Sequence, residues 1–293
     1  MVIQLVKART RLVQTKTFMK FIIKYFGIRQ ITLLTVFTLS GVYLHSSVQP
    51  DMSISSLYVS SSAVVNKSIR IALVSDLHIR RSPKAIAKLS ELWADITEQN
   101  PDVILLAGDY INDGSSGKGI GSIGPAIANV FGVSGLTPVV AVLGNHDHWS
   151  GAESWSQYLS EAGVTVLENE TVILDSVDTC IRGFGDAFTS HFEYVDFPKE
   201  CDDMLQISLM HDPAGAFNPN VRGLILAGHT HCGQISIPFV GPVYVPSKAP
   251  REAYCGLYQD EQRQVYVSSG VGTSILPLRF NAKSSWDLIT IHH

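Results

Sequence analysis

"SIRIALVSDLHI", residues 68–79, is an apolar run that stops on polar residues, and its reading sets the architecture of the whole chain. Ile69, Ile71, Ala72, Leu73 and Val74 are too continuous for a half-solvated strand and suit one buried on both faces. The same pattern returns in "PDVILLAGDYI" (101–111), "TPVVAVLGNHD" (137–147), "LQISLMHD" (205–212) and "VRGLILAGHTH" (221–231). Between the first two stands "SPKAIAKLSELWADITEQN" (82–100), which predicts a helix. Ser82 is placed as N-cap, Pro83 at the first helical position, and Ile86, Leu89, Trp93 and Ile96 fall at helical spacing. "ESWSQYLSEAG" (153–163) predicts a second helix, closed by Gly163. "VTVLENETVIL" (164–174), "RQVYVSSGVG" (263–272) and "SSWDLITIHH" (284–293) are β-rich. Strands alternating with helices argue for an α/β fold, and the strand-rich second half for a further, mixed sheet. No internal repeat of 20–50 residues occurs.

Each buried strand ends on a polar side chain able to hold a metal. Asp76 and His78 follow the first, Asp109 the second, Asn145 and His146 the third, His211 the fourth, and His229 and His231 the fifth. Ligands of α/β sheets collect at the carboxyl ends of strands. A lone histidine is usually an ordinary hydrogen-bonded residue and a lone aspartate a turn former. Five strands ending alike reverse that expectation. Asp76-x-His78 and His229-x-His231 are i, i+2 pairs, whose side chains share one side of an extended chain. Mixed oxygen and nitrogen donors suit Mn, Fe or Zn rather than Ca or Mg alone. There are more donors than one tetrahedral ion needs, which points to two ions sharing a carboxylate.

Asp76-Leu-His78, Gly108-Asp109, Gly144-Asn145-His146-Asp147, the lone His211 and Gly228-His229-Thr-His231 together resemble the calcineurin-like metallophosphoesterase superfamily. The resemblance covers about residues 68–280. "GHTHCGQISIPFVGP" and "SSGVGTSILPLRF" look most like a bacterial membrane-anchored branch related to UDP-2,3-diacylglucosamine hydrolases and YaeI-type phosphodiesterases. It implies a four-layer α/β/β/α sandwich of two mixed sheets flanked by helices. It also implies hydrolysis of a phosphodiester or pyrophosphate with two divalent metal ions, Mn favoured, through a water shared between them. Asp76, His78 and His231 would hold one ion, Asn145, His211 and His229 the other, with Asp109 bridging. His146 would stabilise or protonate the leaving oxygen, and Asp147 would orient its imidazole. Three departures from the pattern are Asn112 in "GDYIND", Cys232 where glycine is common, and "NAKSSWDLI" without Pro-Glu. None removes a ligand. A degenerate, non-catalytic metal- or lipid-binding scaffold would be expected to have lost one, so the complete set favours catalysis.

The remaining segments bear on location and substrate. The net charge is −4, yet residues 1–30 carry seven basic residues and no acid, so 15 basic residues face 26 acidic ones over the rest, a balance of −11. Such a body is not expected to bind nucleic acid, which needs clustered Lys and Arg. Residues 31–50, including "ITLLTVFTLSGVYL", are uncharged up to Asp51 and about long enough to cross a bilayer at roughly 20 residues. A cleaved signal or a buried helix would also fit; the missing small-residue cleavage site favours a signal anchor. The cations before it predict a cytoplasmic tail (1–30) and a domain (68–293) on the outer, periplasmic side of the inner membrane. Residues 51–67 read as a serine-rich linker or a first strand. This topology suits a lipid-linked or envelope substrate, but conflicts with a UDP-diacylglucosamine, which lies on the cytoplasmic face. The stretch 113–124 fails Walker spacing and reads as a loop beside the site. Residues 183–188 are expected to shape the pocket, and Trp149 and His191 to line its entrance, with a core position the competing reading for Trp149. Cys180, Cys201, Cys232 and Cys255 form no C-x-x-C pair, and Cys232 is expected to be a packing residue whose extended backbone turns it away from the ligands.

Overall fold

The computed structural model describes residues 50–59, 68–112, 120–121, 123–133, 135 and 137–293. The basic tail, the expected anchor, most of the serine-rich stretch and most of the loop 113–124 lie outside the described residues. No helix among those described is long and apolar enough to cross a membrane.

Two six-stranded sheets stack face to face. The first is built from β1 (Asp51–Tyr58), β14 (Ser285–His292), β2 (Ser68–Val74), β3 (Val103–Leu106), β4 (Val139–Ala141) and β5 (Thr165–Val166), in that spatial order. The second runs β12 (Gly256–Gln259), β13 (Arg263–Val267), β9 (Gly223–Ala227), β8 (Leu205–Leu209), β7 (Thr179–Gly183) and β6 (Glu170–Leu174). Both are mixed: β2, β3, β4 and β5 pair in parallel while β14 runs antiparallel to β2. In the second sheet the outer strands β12 and β6 are antiparallel to their neighbours. A small ribbon, β10 (Ser236–Ile237) with β11 (Gly241–Pro242), stands apart. Of the two readings of residues 51–67, the strand is found over Asp51–Tyr58, paired in parallel with β14.

Strand parity explains the core. Ile71 and Leu73 of β2, Val103 and Leu105 of β3, Ile207 and Leu209 of β8, and Leu224 and Leu226 of β9 fill the space between the sheets. The intervening residues, among them Ala72, Val74, Ile104 and Leu106, face the helices. Three helices cover that side: α1 (Pro83–Glu98), α2 (Ile123–Phe131) and α3 (Asn145–Glu161). The Ser82 hydroxyl caps α1 by accepting from the Ala85 amide, and Leu89, Trp93 and Ile96 are buried, as the spacing predicts. Helix α2 was not anticipated from the sequence. Gly124 and Pro125 open it and Gly132 follows it, so Ile127 and Phe131 were the only helical signal.

The expected fourth layer differs. No α-helix among the described residues covers the outer face of the second sheet. A compact cluster there, including Phe184, Met210, Ile225 and Val265, is sealed by Phe192 and Tyr194 from the connection after β7, Phe217 from a short 3₁₀ helix and Tyr258 from the edge strand β12. Arg182 lies over the rings of Phe197 (4.1 Å) and Phe184 (4.8 Å) and closes the edge. Aromatic side chains from a loop, a 3₁₀ helix and an edge strand thus bury what a helix was expected to bury.

Asp287 of β14 is enclosed, accepting hydrogen bonds from the hydroxyls of Tyr266 (3.0 Å) and Ser268. Burial raises its carboxyl above the ordinary 3.8, against the pull of those donors. A raised carboxyl makes its stabilising contribution in the protonated form, present below the unfolded value and lost as pH rises through the folded one. Asp287→Asn is therefore expected to raise the unfolding midpoint at pH 8 and to leave it nearly unchanged at pH 4. Thermal melts at the two pH values check this, and an equal loss at both would refute it.

Candidate metal centre

The carboxyl ends of β2, β3, β4, β8 and β9 bring all seven expected ligands to one buried place. The reason differs from the extended-pair expectation. Asp76 (φ 53°), His78 (45°), Asp109 (58°), His229 (67°) and His231 (51°) all sit in the left-handed region. Each such residue costs about 1–3 kcal/mol and persists only where its surroundings over-determine it, as at functional sites. Two glycines permit the close approach. A Cβ on Gly228 would strike the Ser75 side chain and Asp76 Oδ2, and one on Gly144 would meet Asp109 Oδ1 and His211 Cε1.

Two donor groups share one oxygen. Asp109 Oδ2 lies 3.5 Å from His78 Nε2 and 3.5 Å from His211 Nε2. On the first side, His231 Nε2 is 3.0 Å from His78 Nε2 and 3.4 Å from Asp76 Oδ1. On the second, His211 Nε2 is 3.2 Å from Asn145 Oδ1 and 3.1 Å from His229 Nδ1. Hydrogen bonds on the far ring atoms select which nitrogen faces inward. His211 Nδ1 donates to the Ala107 carbonyl (2.7 Å) and His229 Nε2 to the Pro246 carbonyl (2.9 Å). Such partners are the usual orienting groups of ligating histidines. Asp76 Oδ2 accepts from the Ser75 hydroxyl (2.6 Å) and the His229 amide (2.9 Å), while its buried Oδ1 has no partner. An unpartnered buried carboxylate oxygen among inward-facing imidazoles fits divalent cations well.

Electrostatics agrees with ligation. Burial, helped by the charges of His146, His211 and Arg279, brings His78 down to about 3, so its ring is neutral. His231 is likewise held well below its ordinary value by burial and by His78. Burial alone would raise Asp109, yet His211 and His78 hold it well below the usual carboxylate range. Burial alone would lower His211, but Asp109 and Asp76 keep it well above. A metal on that side has to displace this proton, since a ligating imidazole is deprotonated on the bonding nitrogen.

His146 stands beside the donors, its Nε2 4.0 Å from Asp109 Oδ2 and its side chain 15% exposed. The expected role of Asp147 is corrected. Its Oδ2 accepts from the amides of Asp109 (2.7 Å) and Gly144 (2.9 Å), and its Oδ1 from that of Tyr110 (3.0 Å). It clamps two loops together rather than orienting the His146 ring, whose Nδ1 has no partner. Burial and the charge of Asp109 push its carboxyl up to about 8, against the amides that favour the carboxylate. Asp147→Ala is expected to lower stability by about 3 kcal/mol, because several buried amides lose their acceptor at about 1–3 kcal/mol each. Denaturant titration measures this; a change under 0.5 kcal/mol would contradict the clamp.

Trp149 is exposed rather than core. Its ring lies 5.1 Å from that of His146 and 6.1 Å from that of Phe188, which is 5.1 Å from His229. His191 stacks on His148 instead. Asn112, at a departure from the family pattern, donates to the Thr273 carbonyl (3.2 Å) and ties two loops. Arg279 carries no local signal beyond being a lone cation in the apolar run "SILPLRF". It is fully buried, donates to the carbonyls of Gly270 (2.9 Å) and Gly272 (2.6 Å), and lies 3.0 Å from His231 Nδ1.

Cys232 also departs from expectation. The residues after His229 form a short 3₁₀ turn rather than an extended end, and Cys232 is bonded to Cys255. Cys180 pairs with Cys201, so no free cysteine remains.

Residues 69–233 match the calcineurin-like phosphoesterase family. The chain is 29% identical over 231 residues to metallophosphoesterase YkuE of Bacillus subtilis (strain 168), covering 76% of this chain and 78% of that one. It is 30% identical over 222 residues to phosphodiesterase YaeI of Escherichia coli (strain K12), covering 73% and 78%. Among solved structures, the NAD nucleotidase NadN of Haemophilus influenzae superposes with a TM-score of 0.43 at 17% identity, over 70% of this chain and 45% of that one. The chain belongs to the calcineurin-like phosphoesterase family and is a hydrolase of phosphoester bonds.

Proposed function

We propose that the chain hydrolyses a phosphodiester or pyrophosphate with two divalent metal ions, on a lipid-linked or envelope substrate. The observation that carries this is the pair of donor groups meeting at Asp109 Oδ2. Asp76, His78 and His231 hold one ion, Asn145, His211 and His229 the other, and Asp109 serves both. Two divalent ions held by these residues would supply Lewis-acid chemistry, lowering the pKa of a water and neutralising phosphoryl charge. The chain's own contribution is to fix the donors and to exclude water beneath them, since Asp76, Asp109 and His211 are almost fully enclosed. His146, partly exposed beside His78 and Asp109, delivers a proton to the departing oxygen. Purified protein is expected to cleave an aryl phosphate or an aryl phosphodiester once supplied with Mn, and inertness across a panel of divalent metals would overturn the proposal.

The lipid-linked reading draws on the exposed aromatic pair Trp149 and Phe188 beside His146 and His229. Removing both as Trp149→Ala and Phe188→Ala should raise KM about 10-fold for an acylated phosphodiester, the discrimination a lost apolar contact gives. KM for a short alkyl phosphodiester should move little; equal effects on both would remove this support. The two disulfides favour an oxidising compartment and therefore a domain outside the cytoplasm, anchored through residues 31–50. A reporter fused to the C-terminus reads the sidedness, and a cytoplasmic reporter signal would reject it.

A further inference from the structure

A second group of metal-type donors lies outside the centre just described. His148 stands in the first turn of α3, Glu168 follows β5, and His191 lies in the connection after β7. Their ligand atoms all fall within 4.8 Å of one another. His148 Nε2 is buried without a hydrogen-bond partner, its side chain 5% exposed, and the nearest carboxylate oxygen is Glu168 Oε1 at 3.9 Å. The rings of His148 and His191 stack with centroids 3.8 Å apart and 14° between planes.

The surroundings select which nitrogen of His191 can give a lone pair. The Thr189 hydroxyl donates to Asp186 Oδ2 (2.7 Å), so its oxygen accepts from His191 Nδ1 (2.9 Å). That chain fixes the tautomer with the proton on Nδ1 and leaves Nε2 free, the arrangement that carboxylates and their relays impose on ligating histidines. Asn169 locks the two loops in register. Its Nδ2 donates to the His191 carbonyl (2.9 Å), and its Oδ1 accepts from the amides of Gly185 (2.8 Å) and Glu193 (3.0 Å). Glu168, next to Asn169 in the chain, is thereby held beside the imidazoles while its side chain stays 45% exposed.

We propose that His148, Glu168 and His191 bind a third divalent ion of the zinc type, separate from the two-ion centre. Two imidazoles and a carboxylate are a donor set that suits Zn and its neighbours rather than Ca or Mg. The exposed side of Glu168 leaves a position open to water or to an anionic oxygen, as in three-ligand sites. A plain His148–Glu168 ion pair would account for the 3.9 Å approach, but not for the relay that orients His191.

Metal-stripped full-length protein titrated with Co(II), followed by its visible absorption and by metal content per chain, tests this. Wild type is expected to take three ions. Glu168→Gln with His191→Ala should take two, its third affinity weakened at least ~100-fold, beyond the loss from removing a mere orienting partner. Thr189→Val keeps all three donors and should weaken the third ion about 10–100-fold. Asp109→Asn should retain the Glu168-dependent ion even as it disturbs the other two, which separates this site from the centre. Two ions in wild type, or three in the Glu168/His191 variant with a native melting curve, would overturn the proposal.

Discussion

Asp109→Asn is expected to leave a folded domain that hydrolyses phosphoesters at least ~100-fold more slowly, beyond what loss of an orienting partner costs at a metal site. The two oxygens of Asp109 do different work. Oδ1 accepts from the His146 amide at 2.8 Å, while Oδ2 sits between His78 and His211. In the asparagine variant the carbonyl oxygen must stay with the His146 amide, because the alternative places two donors face to face in a buried site. The new NH₂ therefore lands where both donor groups need a shared anionic oxygen. Activity should fall together with metal content, while the melting curve keeps its cooperative form. Turnover within 10-fold of wild type at full metal loading would refute the shared-carboxylate reading.

His146→Gln should separate chemistry from metal binding. His146 lies within 4.8 Å of ligand atoms of His78 and Asp109 but is not one of the seven proposed ligands, so the ions are expected to stay while kcat falls about 10²–10⁴-fold, the range of general acid catalysis. The fall should depend on the leaving group. An alkoxide needs a proton as it departs and a nitrophenolate hardly does, so the alkyl phosphodiester should lose far more rate than the nitrophenyl one. Uniform losses across leaving groups, or loss of metal, would place His146 elsewhere in the mechanism. Asp147 is not expected to share this leaving-group dependence, since its oxygens are occupied by the amides of Asp109, Gly144 and Tyr110. Comparing the two variants therefore distinguishes a proton donor from a backbone clamp two loops wide.

Much of the centre was legible in the chain because donor identity is local. Asp76, Asp109, Asn145, His211 and His229 each follow an unmistakable apolar run, and runs of that kind end at one edge of a sheet. Helix α1 was legible for the same reason: Ser82, Pro83 and the spacing of Leu89, Trp93 and Ile96 are short-range signals. The backbone that brings the paired ligands together is not the extended one that i, i+2 spacing implies. Asp76, His78, His229 and His231 converge through left-handed backbone held by tight glycine contacts, which period-2 reasoning does not contain.

The sequence by itself determined the α/β alternation, the family, and the order in which Asp, Asn and His follow the buried strands, since residue type, order and apolar periodicity encode them. Only the tertiary structure decided which oxygen of Asp109 is shared, that Asp147 binds amides, and that Cys232 pairs with Cys255. It also decided that aromatic side chains, not a helix, cover the second sheet and that His148, Glu168 and His191 meet. These features join segments far apart in the chain, His78 and His231 across 153 positions among them. Such meetings depend on sheet register and loop packing, where many weak contacts act together and no local pattern records the result.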